Sequence, residues 1–121
     1  MADRIMFISW GANVAGREER GLEVFNEAVG LYGRMQQEGK IESFDVALLG
    51  PNGGAIEGFM KVGGSAEQLA ALREDEEYLR NMTDASLIVK DLCVCEGYVN
   101  EGVAKMMGLY QDAISRVPQM A

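Results

Sequence analysis

The chain contains no histidine among its 121 residues. Without imidazole it cannot assemble a Ser-His-Asp or Cys-His pair, and it lacks the commonest ligand for transition metals and haem. Whole classes of hydrolase and metalloenzyme are thereby disfavoured, and any general acid or base has to be a carboxylate, tyrosine, lysine or cysteine whose pKa is moved by burial. Basic residues are scarce too. Eleven Lys and Arg against 19 Asp and Glu leave a formal charge of −8, so the surface repels phosphate backbones and anionic lipid headgroups, and neither nucleic acid nor a membrane surface is expected as a partner. No apolar run approaches the roughly 20 residues of a membrane span. The run ending at Trp10 follows Asp3 and Arg4 and is too short for a signal-peptide core, so a cytoplasmic protein is expected.

Cysteine is limited to Cys93 and Cys95. On a strand, positions i and i+2 point the same way, which disfavours a disulfide between them, and two thiols alone do not complete a zinc site. The expectation is a pair of reduced core cysteines, with no metal and no cofactor. There are only two prolines, Pro51 and Pro118, and each marks a break between patterned segments.

What the chain does have is a repeated pattern. With 48% apolar and 25% charged residues it is long enough to bury one core, and residues 1–121 read as a single domain. Strand-like runs at Ile5 to Trp10, Ile41 to Leu49, Ala55 to Val62 and Leu87 to Tyr98 are separated by helical stretches at Arg17 to Gln37 and Ala66 to Asn81. The first run is apolar on both faces and needs cover on both. Leu22, Phe25, Ala28, Val29 and Tyr32 recur at helical spacing, and Gly39 is a plausible stop. Gly50-Pro51-Asn52-Gly53-Gly54 is a hairpin signal, in which proline presets one backbone angle and asparagine and glycine tolerate positive φ. Ser65 and Gln68 have capping-box spacing, so a helix starts near Ala66 with Leu69, Leu72, Leu79 and Met82 inward and Glu74 to Glu77 as a solvated face. Val103, Met106, Met107, Tyr110 and Ile114 mark a final helix that Pro118 stops.

Two β-α-β units joined by a hairpin predict an α+β, ferredoxin-like split β-α-β fold, with a four-stranded antiparallel sheet, helices on one face and one more helix at the end. In the long last run, Val89, Asp91, Cys93 and Cys95 share one face and Lys90, Leu92, Val94 and Glu96 the other. The sheet face away from the helices is then read as carrying Phe59, Leu92 and Val94 among charged residues, a mixture that suits a homodimer contact.

The strand-helix order, the loop before Arg17, the GFMKVGGS segment at Gly58 to Ser65 and the acidic second helix together resemble the dimeric α/β-barrel superfamily. That superfamily includes small cofactor-free monooxygenases, haem-degrading enzymes and lactone isomerases. The resemblance spans Ile5 to about Ile114 and implies a homodimer with two sheets face to face and a pocket between each sheet and its helices. It carries no catalytic residues over. The histidine of the haem-degrading members is missing, and Trp10 and Asn13 do not reproduce the spacing of the Asn, Trp and Tyr used by the cofactor-free oxygenases.

Other candidate sites reduce to plainer features. Gly11 and Gly16 lie between a strand and a helix, but Arg17-Glu18 stands where a phosphate loop needs Lys-Ser/Thr, so they read as a turn. Asn81-Met82-Thr83 spells a glycosylation sequon with no sign of secretion. Asp45, Glu57, Asp91 and Glu96 are read mainly as partners of Lys61 and Lys90 at an interface. Eight methionines, several on inward positions, suit either core packing or an adaptable pocket. The expected walls of that pocket are Trp10, Phe25, Tyr32, Phe44, Met60, Leu72, Met82 and Tyr98. The leading expectation is a binding protein for a hydrophobic or amphipathic small molecule, fatty-acid-like or aromatic. The alternatives are a cofactor-independent oxygenase or isomerase, using Trp10, Tyr32 or a buried carboxylate, and an interaction module without a pocket.

Overall fold

The computed structural model describes residues 2–120. Strand β1 (Arg4–Trp10) leads into helix α1 (Glu18–Gln37), followed by β2 (Ser43–Leu48), β3 (Gly58–Gly64), α2 (Ala66–Glu74), α3 (Glu76–Ser86), β4 (Cys93–Tyr98) and α4 (Glu101–Ser115). The four strands form one sheet in the order β2-β3-β1-β4, and every neighbouring pair is antiparallel. Among the described residues no helix is long and apolar enough to cross a membrane.

The core lies between one sheet face and helices α1 to α3. Met6 and Ile8 of β1 and Met60 and Val62 of β3 meet Ala28, Leu31, Tyr32 and Met35 of α1, with Leu69, Leu72 and Tyr78 closing the far side. Each large side chain buried here contributes roughly 1.5–3 kcal/mol relative to exposure. Helix α1 ends as its sequence predicts: Gly39 takes φ +75° and the Lys40 amide donates to the Met35 carbonyl at 2.9 Å. The Ser65 capping box also forms, with the Gln68 amide donating to Ser65 Oγ at 3.1 Å and the Ser65 amide donating to Gln68 Oε1 at 2.8 Å.

The structure corrects the sequence reading in three places. First, the expected helix from Ala66 to Asn81 is two helices. Asp75 adopts extended backbone, φ −68° and ψ 130°, and its carboxylate accepts the Tyr78 amide at 3.0 Å, so a member of the acidic run caps a new helix. The break rephases the chain. Tyr78 turns inward and is buried, whereas Leu79 is exposed. The rest of the run is solvated as expected: Glu76 pairs with Arg80 and Glu77 with Arg34.

Second, only Cys93–Tyr98 of the expected strand from Leu87 to Tyr98 joins the sheet. Asp91 takes φ +55°, which turns the chain, and the stretch before it pairs with the loop after β1 instead. Gly11 and Val14 donate to the carbonyls of Lys90 and Ile88, each at 2.7 Å, and the Lys90 amide donates to Ala12 at 2.9 Å. The hairpin strands are likewise shorter than the apolar runs that announced them.

Third, the faces of β4 are the reverse of those expected. Val94 lies opposite Ile8 and Glu96 opposite Met6, so both belong to the helix side, where Glu96 pairs with Arg73. Leu92 packs against the core from that side too. Cys93 and Cys95, opposite Ser9 and Phe7, are exposed on the outer face rather than buried. Strand parity has period two, so a chain that enters one residue out of phase inverts every side chain. Of the three apolar residues expected on the outer face, only Phe59 is there, stacked on Phe7.

Helix α4 makes its main contacts with β4. Gly102 is buried against the Asp3 carbonyl, where a Cβ would collide. Beyond that point Val103, Met107, Tyr110 and Ile114 are exposed along the helix.

Candidate functional site

A cavity of about 620 Å³ opens between the sheet and the helices, at the end of β1. Its floor is Ile8, Trp10 and Met60. Leu22, Val24, Phe25 and Ala28 of α1 form one wall, and Asn81, Met82 and Ala85 of α3 with Ile88, Val89 and Leu92 of the segment after it form the other. The rim is made by Gly11 to Asn13, Glu18, Leu48 and Glu57. The lining is mostly apolar, as small-molecule sites commonly are.

Local chain geometry produces this space. The segment from Ile88 to Lys90 leaves the sheet to pair with the loop after β1, including an Asn13 to Val89 bridge, and so stands away from the end of the sheet. Glycines allow the rim to close. A Cβ on Gly11 would lie 2.7 Å from the Ala55 carbonyl oxygen and 2.9 Å from that of Lys90. A Cβ on Gly58 would lie 2.6 Å from Trp10 Cζ2, so the indole can rest on the strand only because that position is glycine. Trp10 then meets Phe25 edge-on, with ring centroids 5.9 Å apart at 64°.

The polar groups of the cavity are few. Asn81 is 5% exposed, and its Nδ2 donates to the Val24 carbonyl at 3.1 Å, clipping α3 to α1. Its Oδ1 accepts no hydrogen bond from any described residue. Glu18 accepts the Gly16 amide with both carboxylate oxygens, at 3.1 and 2.9 Å, and these bonds hold its carboxyl below the usual range. Glu57 is exposed at the rim. No lysine or arginine is among the described lining residues, nor do the described residues hold a cluster of three or more Cys, Asp or Glu that could bind a metal ion.

Of the side chains expected to form a pocket, Trp10, Phe25, Met60 and Met82 line the cavity. Tyr32 and Phe44 do not. Their rings pack against each other at 5.2 Å in the core, where burial pushes the Tyr32 phenol above its ordinary range and its hydroxyl has no hydrogen-bond partner. Leu72 is core and edges a second hollow of about 430 Å³ beside Lys40, Glu67 and Gln68. Tyr98 lies at the sheet's end with the Arg4 guanidinium 4.5 Å above its ring. The strand carboxylates are not buried either: Asp45 lies opposite Lys61 on the outer face, Asp91 is exposed in its turn and Glu96 pairs with Arg73.

The sequence reading missed Asn81, Leu92 and the Ile88-Val89 wall. Asn81 was legible only as part of a glycosylation spelling. Once the break at Asp75 rephases the helix, it stands three residues beyond Tyr78 on the buried face.

No protein-family model matches the sequence, and no curated protein matches it. Solved structures do match the fold. A hydroxynitrile lyase from Passiflora edulis superposes with a TM-score of 0.63 at 11% identity, over 84% of this chain and 97% of that one. A protein of the ethyl tert-butyl ether D (EthD) family from Bacillus halodurans gives 0.63 at 11% identity, over 81% and 99%. A dimeric protein of unknown function and ferredoxin-like fold from Bacteroides fragilis gives 0.59 at 10% identity, over 79% and 96%. The chain has a ferredoxin-like fold. The identities, 10–11%, are low enough that the likeness is one of fold alone, and function has to be argued from the site.

Proposed function

We propose that this ferredoxin-like protein binds a small molecule with a substantial apolar body in the cavity between its sheet and helices. One observation carries the reading: the cavity of about 620 Å³ has aromatic and Met walls, with Trp10, Phe25, Met60 and Met82 around one nearly buried amide. A volume of this size lies within the usual range of ligand sites. Thioethers let such a wall adapt to shape.

A homodimer completes the proposal. Phe7 and Phe59 on the outer sheet face form the surface that a second copy would cover, and the exposed apolar stripe of α4 is a further patch open to a partner. The dimeric neighbour from Bacteroides fragilis supports this reading. Of the groups expected to serve a catalytic role, Trp10 lines the cavity and Glu57 stands exposed at its rim, whereas Tyr32 and the other strand carboxylates lie away from it, so a catalytic role has less support.

The test is a thermal-shift screen with fatty acids, quinones and polyketide-like aromatics, followed by native mass spectrometry. A true ligand at a hundred times its Kd stabilises by about 2.7 kcal/mol and raises Tm accordingly. Trp10, the sole tryptophan, stands in the wall and reports occupancy through its emission. The reading fails if no compound shifts Tm and the emission stays unchanged throughout.

A further inference from the structure

Taking the cavity as a ligand site, as proposed above, we infer that it selects an uncharged or cationic amphiphile bearing an O–H or N–H donor, an alcohol, phenol or amine, and rejects anionic ones such as fatty acids.

The first ground is charge. The cavity's ionisable lining residues are Glu18 and Glu57, with no lysine or arginine among the described ones. Glu18 is held in its charged form by the two contacts from the Gly16 amide. A carboxylate headgroup at the mouth finds no cation among the described lining residues and meets like charge from two exposed carboxylates, a repulsion that salt screens. The formal charge of −8 on the whole chain acts in the same direction. An ammonium gains from the same field, and a hydroxyl is indifferent to it.

The second ground is the amide of Asn81. Its orientation is settled by chemistry, because the Val24 carbonyl can only accept and so must face Nδ2. Oδ1 is therefore the atom without a partner, on a side chain that lines the cavity and is 5% exposed. An acceptor in that position is met by a donor on the ligand. A hydroxyl satisfies it and can also accept from the remaining N–H of Asn81. An ionised carboxylate has no proton to give, and an ether has none either.

The experiment uses four probes with one apolar body: octan-1-ol, octylammonium, octanoate and 1-methoxyheptane. Calorimetry and Trp10 emission are read at neutral pH in low salt. Octan-1-ol is expected to bind about tenfold more tightly than octanoate and severalfold more tightly than the ether, with octylammonium at least equal to the alcohol. Added salt should narrow the gap between alcohol and octanoate while leaving that between alcohol and ether in place. The paired change Glu18→Gln and Glu57→Gln should bring octanoate severalfold closer to the alcohol. Asn81→Leu should abolish the preference for alcohol over ether, and if that variant does not fold, the paired glutamine variant and the salt series still decide the charge argument. Octanoate binding as well as or better than octan-1-ol overturns the inference and leaves the binding-site reading standing, as does an ether equal to the alcohol in the unmodified protein. Absence of binding by all four overturns both.

Discussion

On the outer face of the sheet the rings of Phe7 and Phe59 stack at a centroid distance of 5.3 Å and an interplanar angle of 29°. The two residues lie directly across the β1–β3 ladder from Lys61 and Ser9, so the stack is a diagonal contact over the centre of the sheet. If a second copy covers this face, Phe59→Glu places an unpaired charge in an apolar contact. It should weaken dimerisation by about 2 kcal/mol, roughly thirtyfold, as loss of a central aromatic anchor does. Sedimentation over a concentration series measures this. Cys93 and Cys95 share that face, so maleimide should label the variant faster than the parent dimer. An unmodified chain that stays monomeric at high micromolar concentration removes the dimer.

Tyr32→Phe should stabilise the protein. The hydroxyl is buried without a partner, and deleting an unmet polar group of this kind regains about 1 kcal/mol. The pH dependence has a definite sign. Burial raises the folded-state pKa of Tyr32 above the ordinary 10.0, so its contribution is intact below pH 10 and is lost as pH rises from there towards the folded value. Denaturant titrations at neutral and alkaline pH should show a shallower alkaline decline for Tyr32→Phe than for the parent. Lower stability of Tyr32→Phe at neutral pH would mean that the hydroxyl has a partner after all, and an unchanged alkaline slope would mean that its folded-state pKa is not raised.

The break between α2 and α3 rests on one carboxylate. Asp75→Ala removes the acceptor for the Tyr78 amide and should cost about 1 kcal/mol, with Asp75→Asn retaining most of the stability because asparagine caps comparably. Urea midpoints of the three proteins give the comparison. Equal losses for Ala and Asn would point to the charge rather than the cap.

Gly58→Ala tests the wall of the cavity. The new methyl would lie 2.6 Å from Trp10 Cζ2 and 2.8 Å from the Ala47 carbonyl oxygen, and the second is backbone that cannot swing aside. A destabilisation of about 2 kcal/mol is expected, together with a shift of the tryptophan emission as the indole moves. A stable variant with unchanged emission would show that the indole does not depend on that glycine.

Much of the fold was legible because local chemistry and hydrophobic period agreed. The Ser65 capping box, the Gly39 stop and the alternation through Phe44, Val46, Met60 and Val62 each pointed to the element and face that formed. Two long-range choices were not written locally. Asp75 sits in an acidic run whose members look alike, and only the packing of Tyr78 shows which of them caps. In β4, cysteines and aliphatic residues alternate with similar apolarity, so the period was visible but the parity was not; the register against Ile8 and Met6 set it. The candidate site suffered from the same limit. Its aromatic and Met floor followed from composition, whereas the Ile88-Val89 wall exists because that segment declines to be a strand.

That departure gives the molecule a division of labour. Part of one wall and part of the rim belong to two short stretches, Gly11 to Val14 and Ile88 to Lys90, held to each other by backbone hydrogen bonds that need a glycine at position 11 but no particular side chain at Ala12. The larger buried layer lies elsewhere, between the sheet and the helices. Ala12 is exposed and can therefore vary at small cost to the framework, whereas Ile88 and Val89 pack with Val24 and Ala85, so a change in that wall of the cavity is also a change in packing.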